Sequence, residues 1–246
     1  MTNDRISIRA VISGRELSRD TILAWEAKRL PRAAGKIGLP VPTGPLRRQR
    51  LAFADSKLAL EPDEIRQRLA RDLRLADRTS RATARLARNR RTLSVCDLHV
   101  SGGGNATDFV QWFDDTQRTD YTHSMVAANP DHFLIQTAPN GRQEVVETTG
   151  GSPLANRFFV DYENTATLVT PRDPSFSVQT AGVALAETGV PIGGVRHQFT
   201  DVPGGFRARV CVEFPRLITP RMISEHRWHL ACEFSNWIEF AFGQPG

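Results

Sequence analysis

The sequence predicts an α+β fold in which a curved antiparallel sheet grips one long C-terminal helix, preceded by a helical, Arg-rich region. Three observations carry that expectation. Residues 131–214 are short apolar runs separated by Gly, Pro, Asn and Asp, the texture of successive strands and turns. Residues 219–241 follow with an apolar pattern that fits one continuous helix. The charge is uneven. Residues 1–94 carry 22 Lys+Arg against 10 Asp+Glu, a net of +12, whereas residues 95–246 carry 10 against 17, a net of −7. The expected organisation is a basic helical region with a Pro/Gly-rich connector over 1–92 and the sheet–helix domain over 93–246.

Taken in order, residues 6–12 fit a short strand, and Leu17, Ile22, Leu23 and Trp25 fit the inner face of a helix. Pro31, Gly35, Gly38, Pro40, Pro42, Gly44 and Pro45 punctuate residues 31–50 too densely for regular structure. Glu61-Pro62-Asp63-Glu64 starts a helix, with Pro and acids in its first turn and Ile65, Leu69 and Leu73 along one face. Arginines 78, 81, 85 and 88 continue it. The alternation of residues 93–100 reads as a strand, and Thr107 caps a short helix over 107–115. Further strands are expected at 131–138, 142–149, 155–162, 165–170, 175–180, 192–200 and 205–214. The last two form a hairpin across Asp201-Val-Pro-Gly-Gly205. Thr219-Pro220 opens the final helix.

Composition excludes several classes. No run of 18 apolar residues exists, so no transmembrane helix is expected, and the first residues lack the apolar stretch of a secretory signal. Cys96, Cys211 and Cys232 are odd in number and fit no CxxC pattern, which suits a reducing, cytoplasmic setting rather than a disulfide framework. Ser101-Gly-Gly-Gly-Asn lacks the ending of a phosphate loop. The Arg-rich helix has no aromatic or base-reading groups beside its charge, which disfavours nucleic acid. It suits an acidic domain or a partner subunit instead, a homodimer included.

The chemistry concentrates in His226-Arg-Trp-His229-Leu-Ala-Cys-Glu233. Helical spacing puts His229 and Glu233 on one face, an imidazole beside a carboxylate, both of them ligand types for a divalent metal. The plain alternative is that they hydrogen-bond to each other within a core. His132 in Asn129-Pro-Asp-His, Glu147 before a double glycine, and His197 in the hairpin strand complete a candidate metal set with an additional proton carrier. Glu144 competes with Glu147; three apart on a strand, the two face opposite ways. His99, His123 and His226 read as incidental.

With those motifs in order, and with Trp112-Phe113, Arg207-Ala-Arg and Phe234-Ser-Asn beside them, residues 93–241 resemble the 2,4-diacetylphloroglucinol hydrolase family, which includes phloretin hydrolase. The resemblance does not extend to residues 1–92. It implies a helix-grip domain of the plant-allergen/START type with a catalytic zinc in its cavity. It further implies His132, Glu147, His229 and Glu233 as zinc ligands, His197 as the proton-transferring residue, and Tyr121 as a contact to a substrate phenol.

The implied reaction is hydrolytic cleavage of the carbon–carbon bond between an acyl group and a phenolic, phloroglucinol-like ring or a β-diketone. A proton on the ring carbon turns the phenol into a ketone tautomer whose departure leaves an enolate. Zinc would polarise the carbonyl and acidify water, and His197 is expected to titrate near neutral pH. Two other functions fit the same residues: a non-catalytic helix-grip protein that binds a small aromatic or polyketide molecule, and another metal-dependent enzyme acting on a cyclic polyketide.

Overall fold

The computed structural model describes residues 6–243. Its core is a nine-stranded, wholly antiparallel curved sheet in the order β2-β1-β3-β9-β8-β7-β6-β5-β4. The strands are β1 (Ser7–Ile12), β2 (Arg15–Ser18), β3 (Arg91–Ser101), β4 (His132–Thr137), β5 (Gln143–Glu147), β6 (Asn156–Asp161), β7 (Val178–Leu185), β8 (Pro191–Val202) and β9 (Gly205–Pro215). Seven helices accompany them: α1 (Arg19–Ile37), α2 (Leu46–Leu58), α3 (Pro62–Arg68), α4 (Ala70–Ala87), α5 (Ala106–Asp114), α6 (Tyr121–Ala127) and α7 (Pro220–Ala241). Among the described residues no helix is long and apolar enough to cross a membrane.

The last helix starts as expected. Thr219 caps it by accepting from the Met222 amide, and Pro220 occupies the first turn, where it has no bond to lose. From Leu230 to Ile238 every side chain of α7 is buried. The β8–β9 hairpin also forms as read, with Val202 opposite Gly205 and Gly204 supplying the positive φ of the turn.

Four expectations are corrected. The expected boundary near residue 92 falls beside a strand that joins the two regions: β1 pairs with β3, so the N-terminal region extends the same sheet. Its β2 arises because Ser13 and Gly14 both adopt positive φ, which folds a two-residue hairpin turn. The supposed irregular connector is mostly helix. α1 runs through Pro31 and Gly35 to a left-handed Gly38, because Leu30, Ala33, Ala34 and Ile37 pack with Phe53, Ile65 and Phe133 in a buried cluster. Burial on that scale offsets a helix-interior proline's cost of about 3 kcal/mol. Finally, residues 165–170 form a loop and not a strand, since the Val169 and Thr170 amides bond the Glu213 carboxylate rather than a neighbouring strand. The cap of α5 is likewise Asn105, not Thr107.

α4 lies on the sheet through small residues. Ala84 packs with Ala184, Ala186 and Ile192, while Arg78, Arg85 and Arg88 are exposed and Arg81 bonds Asp77.

Candidate metal centre

Two periodicities build the site. On α7, the four-residue spacing puts His229 and Glu233 on one face. On the sheet, His132 begins β4 directly opposite Glu147, the last residue of β5. The chain after Glu147 then presses against α7. A Cβ at Gly150 would come within 2.4 Å of the His226 Cα, so only glycine allows this approach. Strand pair and helix thereby meet.

At the meeting point, His132 Nε2 lies 3.1 Å from His229 Nε2 and 3.0 Å from Glu233 Oε2. His229 Nε2 lies 3.4 Å from Glu233 Oε2, and both imidazoles stand 3.7 Å from Glu147 Oε2. One ligand atom each from His132, His229 and Glu233 falls within 4.8 Å of the others. A four-coordinate zinc with bonds of about 2.0–2.1 Å holds its ligand atoms about 3.3–3.4 Å apart. The observed spacings bracket that value, and the donor types are those zinc accepts. His132, His229 and Glu233 fit the ion as three of its ligands, and Glu147 stands beside that group rather than within it.

Two of these side chains are already held through their other polar atom. His132 donates from Nδ1 to the Met125 carbonyl at 2.9 Å, which leaves Nε2 bare for the cluster. Thr149 donates to Glu147 Oε1 at 3.1 Å, leaving Oε2 to face the imidazoles. His229 Nδ1 has no partner among the described residues, so no comparable bond there fixes its tautomer. The His132 ring rests on Trp237, 5.7 Å between centroids.

Electrostatics follow from the packing. Burial alone would raise Glu233, but His229 and His132 outweigh it and hold the carboxyl far below its usual range. Burial would lower His229, yet Glu147 and Glu233 lift it to about 9. For Glu147 burial wins over the same imidazoles, and its carboxyl is raised.

Lying 5.4 Å from His229 and almost parallel to it, His226 is buried, hydrogen-bonded to Ser94 and lowered to about 3 by burial and then by His229. From the sequence alone it reads as incidental. The spacing 226, 229, 233 puts all three on one helical face and could have flagged it. His99 is exposed and His123 bonds Asp55 away from the cluster.

The Asn129-Pro-Asp-His132 turn is held by residues with no sequence signature. Arg29 of α1 grips Asp131 through two bonds of 2.8 and 2.7 Å, both partners being buried. Lys57 of α2, 1% exposed, donates to the carbonyls of Val126, Pro130 and His132, the last at 2.6 Å. Burial pulls that lysine down to about 7 against the pull of Asp131 and Glu26. Asn129 donates to the His229 carbonyl, and Asn236 ties Ala128 to the buried Arg50–Glu26 pair. The N-terminal helices therefore set the position of His132 relative to α7.

Around the cluster lies a cavity of about 140 Å³ whose other walls include Ile135, Val145, Val160, Val195 and Phe234. His197 lines it, but burial lowers its imidazole to about 4, in place of the expected titration near neutral pH. Its Nδ1 accepts from the Cys211 amide at 3.3 Å, so its proton sits on Nε2. Tyr121 is not in this wall. Its hydroxyl accepts from Gln143 at 2.8 Å and faces a separate outer pocket. Glu144 lies on the opposite face of β5, bonded by Arg66, Arg157 and Gln136, and takes no part in the cluster. Compared with known proteins, the chain matches no protein-family model and no curated sequence.

Proposed function

We propose that this cavity is the active site of a zinc-dependent hydrolase of helix-grip type, which cleaves the carbon–carbon bond between an acyl group and a phenolic or β-diketone substrate. One observation carries the proposal: two imidazoles and the Glu233 carboxylate, from β4 and α7, converge at zinc-like spacings in a largely apolar cavity, with the β5 carboxylate Glu147 3.7 Å from both imidazoles. The reading also agrees with the resemblance of residues 93–241 to the 2,4-diacetylphloroglucinol hydrolase family.

His132, His229, Glu233 and Glu147 would hold the ion, which when bound would polarise a carbonyl and acidify a water. Met125 and Thr149 orient two of these ligands through the hydrogen bonds described above. Phe234 and Trp237 are buried beside the ligands and give that end a low-dielectric wall, which strengthens electrostatic contacts there. His197 carries its proton on Nε2 and can give a hydrogen bond from that atom to a carbonyl or phenol oxygen. The apolar walls suit an aromatic ring.

Metal content per purified chain, alongside His229→Ala, tests the proposal. About one zinc per chain, lost in the variant, together with acid release from acylphloroglucinols, is the expected result. The apolar walls also suit a non-catalytic small-molecule carrier. No metal in either protein after zinc is added, with aromatic ligands still bound, would replace the hydrolase by that reading.

A further inference from the structure

Residues alternate along β5, so Gln143, Val145 and Glu147 line the cavity while Glu144 and Val146 face away. Glu147 marks the ligand end. Gln143, four residues back, stands about 13 Å away along the strand. There its amide is used at both ends: Nε2 donates to the Tyr121 hydroxyl at 2.8 Å, and Oε1 accepts from the Tyr162 hydroxyl at 3.2 Å. The two tyrosines come from different parts of the chain, one opening α6 and one just after β6, so the amide ties Tyr162, in the wall of the inner cavity, to Tyr121, in the wall of the outer pocket.

A second pocket, of about 570 Å³, lies on the far side of this bridge. Gln143, Tyr162 and Phe113 belong to the walls of both spaces. Their characters differ. The inner chamber away from the metal ligands presents apolar side chains such as Ile135, Val145, Val160 and Val195, whereas Asp114, Arg142, Asp161, Glu163 and Gln179 line the outer one.

We propose that Gln143 is the specificity-determining residue of the cavity. It closes the inner chamber on the side of the outer pocket, so an apolar ligand that runs from the metal ligands along β5 past the amide is excluded. A longer ligand is admitted only when a hydroxyl-bearing end takes over the two tyrosine hydrogen bonds and continues into the outer pocket. Removing the amide without such a replacement leaves both hydroxyls short of a partner, and that disfavours plain alkyl chains. The ligand class is therefore an aryl or short acyl–aryl body at the metal end, with any extension polar. This inference rests on reading the inner chamber as the substrate site.

The test uses chelator-treated full-length protein, so that it does not depend on the metal. A bound fluorescent probe, N-phenyl-1-naphthylamine, is displaced by 4-alkylphenols of increasing chain length. Affinity for the wild type should rise roughly fourfold per added methylene until the chain reaches Gln143, then level off. In Gln143→Ala the plateau should come at least two methylenes later, and in Gln143→Asn, which keeps an amide, about one later. The milder variant serves if the alanine protein does not fold, as judged by circular dichroism. A wild-type plateau that neither variant moves overturns the role of Gln143 and leaves the substrate-site reading standing. A wild type that binds neither probe nor phenols overturns both.

Discussion

The two faces of β5 carry carboxylates three residues apart that meet opposite fates. Glu144 lies against Arg66 and Arg157, permanent cations, and burial is outweighed so that its carboxyl is lowered. Glu147 meets imidazoles and the Thr149 hydroxyl but no arginine, and there burial prevails and its carboxyl is raised. An arginine satisfies a carboxylate for good, whereas an imidazole can share it with an ion or a proton. The difference lies in the partners, since strand and side chain are the same. It makes Glu147's face the candidate reactive one.

The strongest way to break this comparison is to remove what holds the reactive face together. Arg29→Ala leaves Asp131 buried without its cation and should cost about 3–5 kcal/mol of stability in urea denaturation. Arg66→Ala on the other face should cost about 1 kcal/mol or less, because Glu144 keeps Arg157 and Gln136. Equal losses would mean that the two faces are supported alike.

Metal affinity sharpens the contrast. Glu233→Gln should weaken zinc binding by more than the roughly 10–100-fold that loss of a supporting residue costs, as read by competition with a chromogenic chelator. Glu144→Gln should stay within about twofold of wild type. Equal effects would show that zinc is bound elsewhere.

A smaller effect is a dependence on pH. Because Glu144 is lowered in the folded protein, its contribution is fully present above its unfolded pKa and fades as pH falls through the folded one. The stability gap between wild type and Glu144→Gln, by urea denaturation, should therefore be widest near neutrality and shrink in acid. A gap that widened in acid would reverse the assignment.

Much of the sheet was legible because alternation is a local signal: six of the predicted strand runs from residue 93 onward correspond closely to β3, β4, β5, β6, β8 and β9. Residues 165–170 misled because Thr-Ala-Thr-Leu-Val-Thr has strand composition, while its amides were claimed by Glu213, a side chain 43 residues later for Thr170. The N-terminal region misled in the other direction, its prolines and glycines being outweighed by burial against β4 and β5. At the site, the pairing of His229 with Glu233 could be read from spacing. Nothing in the sequence announced that Lys57, one of three lysines in the chain, would be buried beneath His132.

By itself, then, the sequence determined which residues share a face: His226, His229 and Glu233 on the helix, Gln143, Val145 and Glu147 on the strand. Those relations depend only on 3.6- and 2-residue periods, which a few neighbouring residues enforce. Which faces meet was decided by strand order, by the close approach at Gly150 and by the Arg29–Asp131 and Lys57 clamps. These join residues from 69 to 102 positions apart in the two clamps, and such contacts gain their energy only once the whole chain has folded around them.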